Sequence, residues 1–266
     1  MASRYLQPAW ITRYRPADQP GWRSAALLLA IALCSLPIYA ATETPADTGS
    51  TEALLRPYTA EYKTTARGIG MTVTRELQQT GDEFVLTNGG KIMVVGFHEV
   101  SVFSVEDAQI VPESYVYRGT GMVKRRRELH FSPTAGNIDS LYKDEWYKLP
   151  YTETTVDRMN QLEQLRLILL EQEGDSENIV MRVADGKRVK ESRLVLVAEE
   201  TLETPMGPVD TLHYRRLHQA ADRKSDIWVA PAWDYLMVRT LHVEDGDPVE
   251  MILTSATMGG KTLSVD

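Results

Sequence analysis

Five histidines are the first residues to test for chemistry: His98, His130, His213, His218 and His242. Metal ligands on one strand face fall two residues apart, and on one helix face three or four apart. His213 and His218 are spaced too widely for either pattern, and no His-x-His or Glu-x-x-His pair occurs. No metal and no cofactor are therefore expected. Asp210 and His213 are close in sequence, but no Gly-x-Ser-x-Gly singles out a nucleophile beside them. A triad assembles from distant positions, so spacing alone leaves that question open. No Gly-rich phosphate loop stands between a strand and a helix. The expectation is a protein that is not an enzyme.

Binding chemistry has more candidates. Lys124-Arg125-Arg126-Arg127 is a basic run in an acidic chain. On a strand its side chains alternate, placing Lys124 and Arg126 on one face and Arg125 and Arg127 on the other. Arg126 is a candidate grip for an anionic group; a charged edge strand or solvated face explains the run more simply. Arg239 lies among Met237, Val238 and Leu241, where it needs a carboxylate partner or a ligand. Trp228, Trp233 and Tyr235 flank Pro231 and are candidates to stack on a sugar or cover an acyl chain, or simply to fill core.

These residues must be positioned by strands. Tyr58, Ala60 and Tyr62 alternate with Thr59, Glu61 and Lys63, which is period two. Similar runs continue along the chain, broken by turn signals such as Thr80-Gly81-Asp82, Asn88-Gly89-Gly90, Ser132 to Gly136, Asp185-Gly186 and Asp245-Gly246. Gly96 reads as a bend within a long strand from Lys91 to Val105. Leu194 to Val197, apolar on both faces, reads as a central strand covered on both sides. Between Val156 and Glu173 neither Gly nor Pro occurs, and Val156, Met159, Leu162, Leu165, Ile168 and Leu169 recur at helical spacing. The spacing predicts one amphipathic helix over 156–173, capped by Thr155 or Asp157 and ended by Gly174. The predicted fold is mainly β: a strongly curved antiparallel sheet, a half-barrel or open barrel, wrapping that helix. Such a shape leaves an apolar cavity between sheet and helix, with Leu162 and Leu165 in its wall.

Composition sets the surroundings. The chain of 266 residues has a net charge of −8. Four arginines (Arg4, Arg13, Arg15, Arg23) precede an apolar run at 25–33 and small residues up to Ala40-Ala41. That is the pattern of a secretory signal, read here as residues 1–40. The run is too short to be a comfortable membrane span, so no span is expected after cleavage. Residues 41–54 read as a flexible leader, and 55–266 as a single β-rich domain. The lone cysteine, Cys34, lies within the signal, so the mature chain has no thiol. The rest is more acidic than the whole and repels phosphate backbones, which excludes nucleic acid as a partner.

Asp185-Gly186-Lys187, Glu199 to Gly207, Ile227-Trp228-Val229-Ala230-Pro231 and Tyr235 to Arg239 together resemble the bacterial exported proteins of domain of unknown function 3108. A Tyr-x-Ala-x-Tyr opening is matched by Tyr58, Ala60 and Tyr62. One departure is that Ala232 and Trp233 precede Asp234 where members carry Asp directly after Ala-Pro. The resemblance covers about residues 55–257. It implies a periplasmic, β-rich single domain and carries no catalytic residues. The expected function is a non-enzymatic periplasmic protein that holds a lipid, acyl chain or lipoprotein segment in the cavity. The alternative is an assembly partner of the cell envelope, acting through edge strands and an aromatic surface cluster. The expected partners are thus a lipid or an envelope protein.

Overall fold

The computed structural model describes residues 54–265, apart from 67–68, 93, 122–124 and 221. The expected signal and nearly all of the expected leader, with Cys34, lie outside the described residues, as does Lys124. The chain first runs through eight strands: β1 (Tyr58–Ala66), β2 (Ile69–Thr80), β3 (Glu83–Ile92), β4 (Val95–Glu106), β5 (Gln109–Thr120), β6 (Arg125–Ser132), β7 (Asn137–Tyr142) and β8 (Glu145–Pro150). A crossing segment follows, made of β9 (Thr155–Asp157) and α1 (Gln161–Glu171). The second run is β10 (Asn178–Asp185), β11 (Arg188–Thr204), β12 (Gly207–Arg216), β13 (Arg223–Ala230), β14 (Leu236–Glu244), β15 (Asp247–Met258) and the short β16 (Lys261–Thr262).

Each run is a meander of hairpins, and β1 pairs with β15 to join them into one sheet, ordered from β8 through β1 and β15 to β9. Pairing is antiparallel throughout except for β9 on β10. Period two sorts the side chains. Tyr58, Ala60, Tyr62, Val73, Leu77, Leu86, Phe103 and Tyr115 turn inward and are buried. The sheet curls until its ends approach each other. The β10–β11 turn closes this approach: Ser140 donates to the Gly186 carbonyl at 2.6 Å, Arg127 meets Asp185 at 3.1 Å, and Lys187 lies over the Tyr147 ring. Gly186 has φ +60, and a side chain there would meet the Tyr142 ring at 3.2 Å.

The curved sheet and its helix agree with expectation; several local features do not. Asn88, Gly89 and Gly90 are inside β3, not in a turn, and the chain reverses around residue 94. Their glycines serve close strand approach. A Cβ at Gly90 would lie 2.7 Å from the Thr72 carbonyl, and one at Gly96 2.7 Å from that of Gly90. The helix starts at Gln161, because Thr155–Asp157 is drawn into a strand beside β10. Asp157 then caps the turn that follows, accepting from the backbone N–H of Met159 (2.6 Å) and Asn160 (2.9 Å). Gly174, at φ +85, ends the helix as expected. β6 is flanked by β5 and β7, so the basic run is not on an edge strand. Val197 is exposed beside a bulge in β11, so that strand is not covered on both faces.

The helix also departs from its predicted character. An amphipathic helix on a sheet shows water one face. α1 instead lies within the curl, bonded to β1, β2, β5 and β12, and its buried residues include Glu163, Gln164 and Arg166 beside Leu165, Leu167 and Leu169. Leu162 and Ile168, expected on the apolar face, are only half-buried.

Candidate functional site

Polar groups inside the curl hold the helix in place. Arg75 on β2 meets the Glu163 carboxylate at 3.1 Å, and Arg166 meets its other oxygen at 2.6 Å. Tyr58 donates to Glu163 at 2.8 Å and accepts from Arg75 at 2.9 Å. Arg75 also donates to the Met159 carbonyl, and the Arg166 guanidinium lies over the Tyr58 ring. The Glu163 and Arg166 side chains are only 1% and 2% exposed. Burial pushes the Glu163 pKa up, but Arg166 and Arg75 outweigh it and hold the group below its ordinary range. Ser101 donates to Asp157 at 2.5 Å. Burial pushes Asp157 up to about 6, against the bonds from Ser101, Asn160 and Met159. Glu99 accepts from Tyr115 and Asn88, with Arg158 at 3.6 Å. Gln164 accepts from the backbone of Ile110 and donates to that of Ala108.

These contacts lie in the interior in which a cavity was expected. Leu165 is fully buried there, and Leu162 sits half-buried at the start of the helix. The helix's own charged side chains are buried in this interior, because a helix enclosed by sheet on several sides must bury them too.

The aromatic trio is split. Trp228 faces outward from β13 and stacks on His213 of β12, ring centres 4.3 Å apart. The Arg239 guanidinium from β14 lies 4.8 Å from the Trp228 ring and pairs with Glu250 at 2.5 Å. β12 and β14 flank β13 on opposite sides, so both faces of the indole are taken; its N–H donates to Glu200 at 2.7 Å. Below this stack, Asp226 meets Arg215 (2.7 Å), Lys224 (3.0 Å) and His213 (3.2 Å). Burial alone would raise the Asp226 pKa, yet those bonds hold it down. Trp233 and Tyr235 belong to the interior core. A short 3₁₀ turn at Pro231–Trp233, followed by Asp234 and Tyr235 at positive φ, swings both inward. None of the three forms an aromatic surface cluster, since all are buried. Arg126 is exposed and pairs with Glu128, far in the sheet from the Trp228 stack.

The surface grooves of the described residues include the following two. One, of about 330 Å³, has Phe103, Val111, Pro112, Phe131 and Pro133 as an apolar floor and Asp82, Glu83 and Glu113 as its charged wall. Phe84 stacks beneath Phe103 at 5.5 Å, and Tyr151 packs edge-on to Phe131. The other, of about 400 Å³, runs along Glu177, Asn178 and Val195 to Glu199, where the β11 bulge leaves Val197 outside. Sequence reasoning missed the first groove because its residues come from four separate strands and turns. Neither groove has a residue of α1 in its wall. Among the described residues no group of three His, Cys, Asp or Glu could hold a metal, and no helix is long and apolar enough to cross a membrane.

The family described as Protein of unknown function (DUF3108) matches residues 57–254. The chain belongs to that family. No curated protein matches it. A solved structure, the β-barrel-like protein of domain of unknown function DUF1849 from Brucella abortus, is similar with a TM-score of 0.51 at 10% identity. That match covers 77% of this chain and 98% of the other, and it shows a shared barrel-like fold. A candidate lipoprotein from Parabacteroides distasonis matches at 8% identity and a TM-score of 0.30, over 77% of this chain and 96% of its own.

Proposed function

We propose that the protein is an exported, non-catalytic binding protein of the cell envelope that takes an apolar polypeptide segment into the Phe103–Phe131 groove. The observation that carries this reading is the groove's composition: an apolar floor under three carboxylates. Such a wall repels a fatty acid or anionic lipid and suits an apolar side chain with basic neighbours. Export is supported by the signal pattern of residues 1–40. A non-catalytic role is supported by the buried acids, each held by structural partners: Glu163 by two arginines, Asp157 by Ser101 and two backbone amides.

The test begins with native mass spectrometry of protein purified from the periplasm without detergent, followed by fluorescence anisotropy with the labelled peptide Lys-Leu-Phe-Leu-Lys. The reading expects binding of this peptide, none of Glu-Leu-Phe-Leu-Glu, and loss of binding in Val111→Arg, whose side chain fills the groove. Absence of peptide binding, or a co-purifying lipid that Val111→Arg does not displace, refutes it.

A second reading, an assembly partner joining by its sheet edge, has one observation in its favour. β8 ends the sheet and carries Trp146, 56% exposed, beside His130. Cross-linking from position 146 to a single envelope protein would support this reading over the groove.

A further inference from the structure

Where α1 begins, the structure brings Arg216, a guanidinium with no carboxylate partner among the described residues, close to two histidines. Arg216 lies opposite Ser225 on β13, and Ser225 lies opposite His242 on β14. The Ser225 hydroxyl sits 2.8 Å from Nε2 of His218 and 2.7 Å from Nδ1 of His242. It donates to one imidazole and accepts from the other. Arg216 donates to Gln161, the first residue of α1, but its Nε–H is buried without an acceptor. No carboxylate pairs with it among the described residues. One residue before Gln161, the Nδ2 of fully buried Asn160 is a second donor without an acceptor. Among the described residues Glu244 is an acid close to the histidines, 3.6 Å from Nε2 of His242, and its other oxygen is engaged by Arg223. The amino end of α1 adds its own partial positive charge here, and Glu163, the acid of its first turn, is spent on Arg75 and Arg166. His218 shows the local potential: after burial, Arg216, His242 and Arg223 all press its pKa below the usual imidazole range, with only Glu244 opposing.

A half-buried guanidinium with an idle N–H and no counter-ion is costly, and an oxyanion supplies both the charge and the acceptor. We propose that this region is an oxyanion site in which Arg216, with His218 and His242 held in place by Ser225, binds a phosphate group. The group is either free or borne on a headgroup. The site is separate from the acid-walled groove, so it stands or falls independently of the function proposed above.

The probe is inorganic phosphate, titrated calorimetrically into the mature protein. Saturable binding is expected, weakened ~tenfold or more in Arg216→Met, as for loss of one charge-assisted pair. It should be unchanged in Arg215→Gln, which alters the outer face only. In phosphate-free buffer, Arg216→Met should be at least as stable as the parent, because an uncompensated charge has gone. If Arg216→Met does not fold, the double variant His218→Asn with His242→Asn replaces it. A second arm measures sedimentation with vesicles of phosphatidylglycerol against phosphatidylcholine. Phosphate binding without vesicle binding assigns a free anion. Arg216-dependent binding to phosphatidylglycerol alone assigns a headgroup. Absence of both, or phosphate binding that survives in both the Arg216 and the double histidine variants, overturns the proposal and leaves the two idle donors to water.

Discussion

Glu163→Gln tests how the helix is held inside the sheet. The carboxylate faces two guanidinium groups, Arg75 at 3.1 Å and Arg166 at 2.6 Å, and accepts the Tyr58 hydroxyl. Gln retains the shape and one acceptor oxygen but removes the charge, leaving two buried cations side by side. Breaking a buried pair by removing one partner costs about 3–5 kcal/mol, and here one removal strands two partners. We therefore expect a loss of about 4 kcal/mol or more, a large part of the ~5–15 kcal/mol that a domain has in total. For a domain of this size that lowers the melting temperature by about 8–16 °C. Circular dichroism melts and urea unfolding followed by tryptophan fluorescence provide the assay. The triple change Arg75→Met, Glu163→Leu and Arg166→Met removes every charge while keeping volume, and should recover most of the loss. A Glu163→Gln melt within 2 °C of the parent, or a triple variant worse than the single, refutes the reasoning. The pH sign follows from the lowered Glu163 pKa. Its contribution is complete above the unfolded value of about 4.3 and is lost as pH falls through the lower folded value.

Asp157 should behave in the opposite sense. Its folded pKa of about 6 exceeds the unfolded value of about 3.9, so the folded state holds the extra proton and stability declines as pH rises across that window. Urea midpoints measured from pH 4 to 7 should show this slope in the parent and lose it in Asp157→Asn. Gly96→Ala drives a Cβ to 2.7 Å from the Gly90 carbonyl and should cost about 1–3 kcal/mol by the same unfolding assay, with strands β3 and β4 spread apart in amide hydrogen exchange. Trp228→Ala removes the centre of the His213–Trp228–Arg239 stack and should cost about 3–5 kcal/mol. It should leave peptide binding at the distant groove unchanged once the protein is folded; a loss of binding would place the ligand at the stack instead.

Much of the sheet is legible in the sequence because a curved sheet with one wet face writes period two directly into residues such as Tyr58, Ala60 and Tyr62. The glycines mislead where one residue type serves two purposes. Asn88-Gly89-Gly90 has turn chemistry, yet these glycines are there for close approach of β2, β3 and β4. The helix misleads for a topological reason. Glu163 and Arg166 look solvated because a helix on an open sheet shows water one side, whereas here sheet surrounds it. Their partner Arg75 is 88 residues from Glu163, a separation at which no local pattern survives. The candidate site residues fare similarly. Trp228 and Tyr235 are near in sequence, but the 3₁₀ turn between them reverses which side of the sheet they serve. The ion pair expected for Arg239 is present, with Glu250 as the acid. Arg216 gave no signal, since its idle N–H is a property of packing alone.

The register of β1 on β15, which sets Tyr58 against Met258 and Ala66 against Val249, has a kinetic consequence. Every other antiparallel neighbour in the sheet is joined by a short hairpin and can form as soon as its two strands are available, within microseconds for an isolated hairpin. The pairing of β1 with β15 must wait for almost the whole chain and pays the largest loop-closure entropy in the molecule. Two separate meanders are thus expected to form first, with β1 and β15 as additional bare edges, and to lock together last. A pulse of hydrogen exchange during refolding should protect the hairpin amides of β4–β5 and β11–β12 before those shared by β1 and β15. Under the export proposed above, the vulnerable interval for the unfolded chain is the one before that final zipper closes.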